Sequence, residues 1–189
     1  GGVAESKGIA KHIDVINGTL AKAFGLAGGY IASTEIIIDY VRSFSKGFIF
    51  TTSMCPAVAA GSLESMKQVQ KNPELRNEFF QNVNFVKNEL TNAGIPFLDS
   101  GSHIVPVIVG DSKLCKEISD YLLNTHNVYV QPINYPTVPK GTERLRITPT
   151  PCHSREVTQN FVEALKDAWF KFMPRLSMVL EQKKAQKNL

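Results

Sequence analysis

Cysteine is scarce in this sequence, with three among 189 residues. Cys55, Cys115 and Cys152 are far apart and odd in number, so they form neither a zinc-site spacing nor a disulfide framework. This scarcity points to a reducing compartment. Cys55 precedes a proline, as in haem-sensing Cys-Pro pairs, but a single dipeptide is weak evidence for that role. We expect Cys55 to be a small buried residue.

Long apolar runs are also missing. The longest, residues 104–110, has the length of a strand and falls far below the roughly 20 residues that span a bilayer. No two of the four histidines have a metal-ligand spacing such as HExxH, so the sequence predicts no metal site. We expect His103 to begin a core strand and His153 to have a structural role beside a helix start.

Excess positive charge is confined to the C-terminal end. The last 24 residues carry six Lys or Arg against two Asp or Glu, and the preceding 165 carry 15 of each. A nucleic-acid-binding protein would have a basic patch with aromatic residues or a recognisable module, and neither is seen here. We interpret the tail as a solvated terminal helix. A C-terminal extension over 174–189 that tunes activity is the alternative.

The chain begins with GGVAESKG, without an initiator Met, a signal peptide or a transit peptide. This loop-like start indicates a piece of a longer polypeptide. Short strands are predicted over 14–20, 28–33 and 47–53, and they are apolar on both faces, as in a sheet covered by helices. Such a sheet needs more strands, which we expect in a preceding N-terminal part.

The remaining signals alternate between helices and strands and predict an α/β protein. A helix over 34–44 has Thr34 as its N-cap, and a helix over 56–69 has Pro56 in its first turn. A change of domain is expected inside the helical region 56–94. The later predicted elements are helices over 74–94, 113–127 and 154–173 (with Ser154 as N-cap), strands over 102–111, 128–133 and 144–150, and a Pro/Gly-rich loop over 134–143.

Lys22 stands in an unusual stretch, NGTLAKAFGLAGGYIAS, among small and apolar residues. It could snorkel, burying its stem while the amine reaches water. Alternatively, desolvation could favour the neutral amine that Schiff-base chemistry needs. The position of Lys22 alone favours the snorkelling interpretation.

Hydroxyl groups and glycines near Lys22 favour the second interpretation. Thr19 can hydrogen-bond an anionic group, and the glycines at 18, 25, 28 and 29 let the backbone approach a ligand closely. The Thr-Thr-Ser segment at 51–53 precedes a helix N-terminus, where a phosphate group is favoured. An aldehyde cofactor with a phosphate group explains these features, and pyridoxal 5′-phosphate (PLP) is such a cofactor.

These stretches resemble the α-oxoamine synthases, a PLP-dependent family of fold type I. The matching segments are GTLAKAFGLAGGYIA, GFIFTTSMCP, SHIVPV and VYVQPINYPTVPKGTERLRITPTPCH, and the resemblance covers roughly residues 1–173. It implies the end of a large sheet domain followed by a smaller C-terminal α+β domain. The implied divisions are the PLP-binding part (1–58), connecting helices (59–94), the small domain (95–173) and the extension (174–189).

The resemblance implies cofactor contacts residue by residue. Lys22 matches the lysine that binds PLP covalently and removes a proton from the bound glycine. Thr19 matches a threonine that binds the phosphate. Thr51 and Thr52 match a pair that reaches the phosphate of the other subunit's cofactor. The aspartate that pairs with the pyridinium nitrogen and the histidine that stacks on the ring are expected outside this chain.

Two further residues match substrate-binding positions. Arg146 matches the arginine that grips the glycine carboxylate, and a bidentate clamp would fix the direction of the Cα–H bond. Without the resemblance, Arg146 would be read as an exposed strand arginine, since Arg144 has the same strand phase. Thr137 matches the threonine that contacts the succinyl carboxylate, in a loop (134–143) that resembles a mobile lid.

The implied activity is that of an acyltransferase that condenses glycine with succinyl-CoA. The alternatives are a family member that uses another acyl donor, such as acetyl-CoA or pimeloyl-CoA, and a non-catalytic subunit that keeps the fold. The implied partners are the N-terminal part of the same enzyme and a second copy in a homodimer with shared active sites. We expect this chain alone to be inactive. A eukaryotic enzyme would lie in the mitochondrial matrix and a bacterial one in the cytoplasm.

Overall fold

The chain divides into two compact units, Gly1–Pro73 and Glu74–Leu189. This computed structural model describes residues 2–187, and the side chains of Met173 and of residues 179–187 lie outside that description. The boundary between the units falls inside the helical region 56–94. The finer division of the sequence into four parts stays a prediction.

Unit 1 contains an antiparallel hairpin and, within its described residues, several helices. The hairpin strands pair from Val15 opposite Ser33 to Thr19 opposite Gly29. Thr34 occupies the N-cap position of the helix after the hairpin, but its hydroxyl accepts no capping hydrogen bond. The elements are α1 (Val3–Ser6), a 3₁₀ turn (Ala10–His12), β1 (Val15–Thr19), β2 (Gly29–Ser33), α2 (Glu35–Phe44), α3 (Lys46–Ile49) and α4 (Pro56–Lys71).

The predicted strand over 47–53 is wrong, because Lys46–Ile49 form α3. The N–H groups of Phe48 and Ile49 donate to the Ser45 carbonyl at 3.0 and 2.9 Å. A strand would need a neighbouring strand to pair its backbone groups, and the described part of unit 1 has strand pairing only between β1 and β2. The helical turn satisfies these backbone groups locally instead.

Two residues that were expected inside the fold are exposed. Cys55 is exposed at the N-cap position of α4, before the helix presents any face to a core. His103 is exposed and precedes the third strand rather than beginning it, with its ring centroid 5.3 Å from that of Phe79. The sequence pattern therefore overestimated burial at the ends of these elements.

Unit 2 is built on an antiparallel sheet in the order β3-β5-β4. Leu145 and Ile147 of β5 are buried, whereas Arg146 between them is exposed, as strand alternation requires. The helices therefore cover the face that carries Leu145 and Ile147. The elements are α5 (Pro73–Asn92), β3 (Val105–Ile108), α6 (Ser112–His126), β4 (Gln131–Ile133), β5 (Arg144–Ile147) and α7 (Arg155–Lys187).

One hydrophobic cluster joins the sheet of unit 2 to α5, α6 and α7. Its largest fully buried side chains are Val83, Val86, Leu90, Val105, Val107, Val109, Leu114, Ile118, Leu122, Leu145, Val162 and Leu165. The predicted N-cap of α7, Ser154, accepts a hydrogen bond from the Val157 N–H at 3.2 Å. Among the residues that the structure describes, no helix is both long and apolar enough to cross a membrane.

Helix α7 continues beyond its predicted end at residue 173, through Pro174 to Lys187. Arg175 forms an ion pair with Glu117 of α6, and Leu176 is buried in the cluster. The first residues of the predicted extension 174–189 therefore pack against unit 2 rather than standing free in solvent.

Cys115 is expected to resist alkylation while Cys152 reacts. Cys115 is fully buried, and burial raises the pKa of its thiol to about 12, with smaller contributions from Glu143 and Asp111. Cys152 is exposed. Because the thiolate is the nucleophile, iodoacetamide at pH 8 should modify Cys115 at least about 100-fold more slowly than Cys152. Peptide mass spectrometry after timed quenching measures both rates, and equal rates in the native state would contradict the burial of Cys115.

Candidate active site

Lys22 lies in a short loop that unit 1 closes with backbone hydrogen bonds. The Gly25 N–H donates to the Lys22 carbonyl at 3.1 Å, and the Leu26 N–H donates to the Leu20 carbonyl at 2.9 Å. Gly25 has a φ of 71°, which glycine adopts without strain. Leu20 is buried and holds the start of the loop in place. We call residues 20–28 the lysine loop.

Helix α4 fixes the lysine loop from one side. Ser65 Oγ donates to the Phe24 carbonyl at 3.0 Å. A Cβ at Gly61 would lie 3.1 Å from Leu26 Cδ2, so Leu26 packs directly on the backbone of α4. Sequence reasoning missed Ser65 and Gly61, because a small residue in a helix gives no signal of a distant partner.

The Lys22 side chain is exposed, and its amine has no hydrogen-bond or ion-pair partner within the described part of the chain. Neither the buried stem of a snorkelling lysine nor the desolvated amine expected from the sequence is present there. The structure provides a primary amine on the lysine loop, whose backbone is held by the hairpin and by α4. Such an amine is available to an electrophile.

Thr19 ends β1, three residues before Lys22. Its Oγ1 accepts a hydrogen bond from the Ala21 N–H at 3.2 Å and lies 3.5 Å from the Gly28 carbonyl oxygen. The hydroxyl therefore sits at the entrance of the lysine loop, on the same unit as the amine.

Two of the four nearby glycines serve the hairpin rather than a ligand. A Cβ at Gly18 would overlap the ring of Tyr30, and a Cβ at Gly29 would lie 2.8 Å from the Gly18 carbonyl oxygen. Close packing of β1 on β2 thus requires both residues to be glycine. Gly25 and Gly28 have positive φ instead, and they shape the lysine loop.

Thr51 and Thr52 lie in the exposed segment between α3 and α4. The methyl carbon of Met54 would lie 3.0 Å from a Cβ at Gly28, so this segment runs beside the lysine loop. Pro56 is the first residue of α4. A helix N-terminus presents unpaired N–H groups and a partial positive charge, which favour an anion.

Arg146 borders a cleft of about 750 Å³ that lies within unit 2. Its neighbour on the same strand face, Arg144, uses its Nε to donate to the Thr142 carbonyl at 2.8 Å. The Arg146 guanidinium forms no hydrogen bond with the residues that the structure describes. It is therefore available to bind a carboxylate through two parallel hydrogen bonds. Polar residues on the cleft wall include Gln131, Thr148, His153 and Asn160.

Asn82 of α5 holds the segment beside this cleft. Its Nδ2 donates to the carbonyls of Thr150 and His153, at 3.0 and 2.8 Å. The Thr150 N–H donates to His153 Nδ1 at 3.3 Å, which places the proton of a neutral ring on Nε2. His153 thus has the structural role expected of it, whereas nothing in the sequence pointed to Asn82.

Thr137 lies on the exposed loop between β4 and β5, with its N–H donating to the Asn134 carbonyl at 2.9 Å. Its hydroxyl forms no hydrogen bond within the described residues. The predicted site residues thus separate by unit: Lys22, Thr19, Thr51 and Thr52 belong to unit 1, whereas Arg146 and Thr137 belong to unit 2.

Comparison with known proteins gives a consistent family. The sequence model described as Aminotransferase class I and II matches residues 2–165. The chain is 50% identical over 169 residues to 5-aminolevulinate synthase 1 of Cereibacter sphaeroides, covering 89% of this chain and 42% of that protein. It is 48% identical over 170 residues to the erythroid-specific mitochondrial 5-aminolevulinate synthase of Bos taurus, covering 89% and 29%. The chain therefore spans less than half the length of these relatives.

Solved structures show the same fold. A structure of SPT with PLP matches with a TM-score of 0.85 and 27% identity, over 90% of this chain and 43% of that one. The 8-amino-7-oxononanoate synthase of Francisella tularensis matches with a TM-score of 0.70 and 23% identity, over 82% and 45%. The predicted mixed α/β fold type I is confirmed by these matches. The chain belongs to the aminotransferase class I and II family.

Proposed function

We propose that this chain is the lysine-bearing part of a 5-aminolevulinate synthase. Such an enzyme condenses glycine with succinyl-CoA to give 5-aminolevulinate, CoA and carbon dioxide, the first step of haem biosynthesis. The observation that carries the proposal is the identity of about half of the residues to proteins of that name over 89% of the chain. The presence of Lys22 argues against a non-catalytic subunit.

Unit 1 has the groups that fit PLP. The exposed Lys22 amine on its fixed loop would hold the cofactor, and Thr19 would bind its phosphate. Thr51 and Thr52, before the N-terminus of α4, would reach the phosphate of the other subunit's cofactor. When bound, PLP would withdraw electrons from the glycine Cα and stabilise negative charge there.

The side chains of this chain would then position and deprotonate the substrates. Arg146 would bind the glycine carboxylate and orient its Cα–H bond. Lys22 Nζ would take the proton from that carbon. The Thr137 hydroxyl would hydrogen-bond the distal carboxylate of the succinyl group and hold the thioester near the glycine Cα.

A homodimer and an N-terminal part of the same enzyme are the proposed partners. The apolar side chains of the β1–β2 hairpin are exposed by 38–44% at Val15, Ile16, Tyr30 and Ile31. A two-stranded hairpin is marginally stable alone, so further strands or another surface should cover these side chains. In a eukaryotic cell we place the enzyme in the mitochondrial matrix, and in a bacterium in the cytoplasm.

The acyl donor tests the proposed function most directly. The complete enzyme with PLP and glycine should use succinyl-CoA at least about 10-fold more efficiently, by kcat/KM, than acetyl-CoA or pimeloyl-CoA, because only succinyl places a carboxylate at the reach of Thr137. A coupled assay of CoA release measures all three. A preference for acetyl-CoA would move the protein to another branch of the α-oxoamine synthases.

Thr137→Val should remove most of this preference, and Thr137→Ser should keep it. Valine has the shape of threonine without the hydroxyl, and a hydrogen bond to a charged group contributes about 1.5–3 kcal/mol, which corresponds to roughly 10- to 100-fold. A Thr137→Val enzyme with the same preference as the wild type would remove Thr137 from the acyl site.

A further inference from the structure

The loop between β4 and β5, residues 134–143, is tied at both ends to the junction between β3 and α6. At one end the Glu143 carbonyl accepts hydrogen bonds from the N–H groups of Val109 and Gly110, both at 2.9 Å. At the other end Asn134 Nδ2 donates to the Ser112 carbonyl at 3.3 Å. The first and last residues of the loop are therefore held by a single neighbouring segment, residues 109–112.

Glu143 also acts through its side chain. The residue is only 4% exposed, yet it carries a carboxylate. Its Oε2 accepts a hydrogen bond from the Gly141 N–H at 2.8 Å, and it forms no ion pair with the side chains that the structure describes. A buried carboxylate is costly unless hydrogen bonds compensate. The hydrogen bond from Gly141 provides such compensation and ties the buried Glu143 side chain to the loop.

The bond from Gly141 holds the third residue of the second of two turns in the loop. In the first, the Thr137 N–H donates to the Asn134 carbonyl at 2.9 Å; in the second, the Thr142 N–H donates to the Pro139 carbonyl at 3.1 Å. Gly141 has a φ of 86°, as the third residue of such a turn can require. Thr137 is the last residue of the first turn and lies two residues before Pro139, where the second turn begins, so a movement of the second turn can displace Thr137.

We propose that Glu143 is a positioning residue, which clamps the second turn and thereby sets where the Thr137 hydroxyl meets the acyl-CoA substrate. This proposal rests on the proposed function. Without the carboxylate, the turn at Gly141 would sample more conformations, and acyl-CoA binding would have to order it. Arg146 sits three residues further on, inside the hydrogen-bonded strand β5. Glycine binding should therefore be much less affected than acyl-CoA binding.

Glu143→Ala and Glu143→Gln in the complete enzyme with PLP test this assignment. In Glu143→Ala the KM for succinyl-CoA should rise about 10-fold, while the KM for glycine changes less than about twofold. Glu143→Gln should restore the KM for succinyl-CoA to within about threefold of the wild type, because the amide oxygen can accept the same Gly141 N–H. Glu78→Ala, at an exposed carboxylate of α5, is the matched control and should change neither constant.

Trypsin gives a second measurement that does not depend on catalysis. The exposed Lys140 precedes Gly141, so release of the clamp should speed cleavage after Lys140 several-fold in Glu143→Ala and not in Glu143→Gln. If wild-type enzyme fails to use succinyl-CoA, the proposed function fails, and this cleavage alone decides whether Glu143 clamps the loop.

An equal rise in both KM values, an unchanged KM for succinyl-CoA, or a Glu143→Gln enzyme as impaired as Glu143→Ala would overturn the proposal. If Glu143→Ala does not fold, Glu143→Asp replaces it, because a side chain one methylene shorter falls short of Gly141. The same selective rise in the KM for succinyl-CoA is then expected, and its absence counts against the clamp.

Discussion

Replacing Lys22 with alanine in the complete enzyme is expected to lower kcat for glycine and succinyl-CoA by at least about 1,000-fold, because both covalent cofactor attachment and proton transfer are lost. The fold should persist, since the Lys22 side chain is exposed and the lysine loop is held through Leu20, Leu26 and Ser65. Steady-state kinetics together with a circular dichroism spectrum separate lost chemistry from lost structure.

Borohydride reduction followed by peptide mapping identifies the lysine that carries PLP. We expect the label on the peptide that contains Lys22 and none in the Lys22→Ala enzyme. Lys67→Ala, at an exposed lysine of α4 in the same unit, is the control and should keep both the label and turnover. Turnover by Lys22→Ala at a tenth of the wild-type rate or more, or a label on Lys67, would remove Lys22 from the mechanism.

Replacing Arg146 with leucine is expected to raise the KM for glycine about 100-fold or more, because a desolvated carboxylate would lose its charged partner. Arg146→Lys should recover only part of this loss, since an ammonium group cannot form two parallel hydrogen bonds to a carboxylate. The KM for succinyl-CoA should change much less, and initial rates with each substrate varied in turn measure both constants.

Arg144 provides a matched control for Arg146 on the same face of β5. Its Nε is already engaged with the Thr142 carbonyl. Arg144→Lys keeps the charge, and the KM for glycine should stay within about threefold of the wild type. If Arg144→Lys raised the KM for glycine as much as Arg146→Lys does, glycine binding would depend on either arginine of that face, which would contradict a carboxylate clamp specific to Arg146.

Much of the fold could be predicted from the sequence, because side-chain alternation in strands and capping residues of helices act over a few neighbouring residues. The alternation in RLRI predicted that Arg146 is exposed between Leu145 and Ile147, which are buried. The hydroxyl of Ser154 before a helical pattern predicted a cap that the structure contains. The apolar run over 47–53 misled, since a run of that length suits a strand or a short helix, and the choice depends on whether a partner strand is available.

The candidate site was readable in part. Lys22, Thr19 and the threonine pair could be proposed as cofactor contacts because chemistry restricts which residue types serve a phosphate-bearing aldehyde. The environment of these residues could not be predicted. The residues around Lys22 in the sequence favoured a desolvated amine, whereas the structure shows an exposed Lys22 side chain. Ser65, Gly61, Asn82 and Glu143 were missed, because each acts on a backbone group that is remote in sequence or hidden in a turn.

The sequence by itself determined most of the helices and strands of this protein, the candidate residues of its site and its membership of a PLP-dependent family. Those properties follow from local periodicity and from motifs whose chemistry tolerates few substitutions. Only the tertiary structure decided that Gly18 and Gly29 serve strand packing, that α4 holds the lysine loop, and that a buried carboxylate clamps the loop of Thr137. These three features depend on which backbone groups, distant in the sequence, come into contact. Hydrogen bonds between such groups produce no periodic pattern in the sequence.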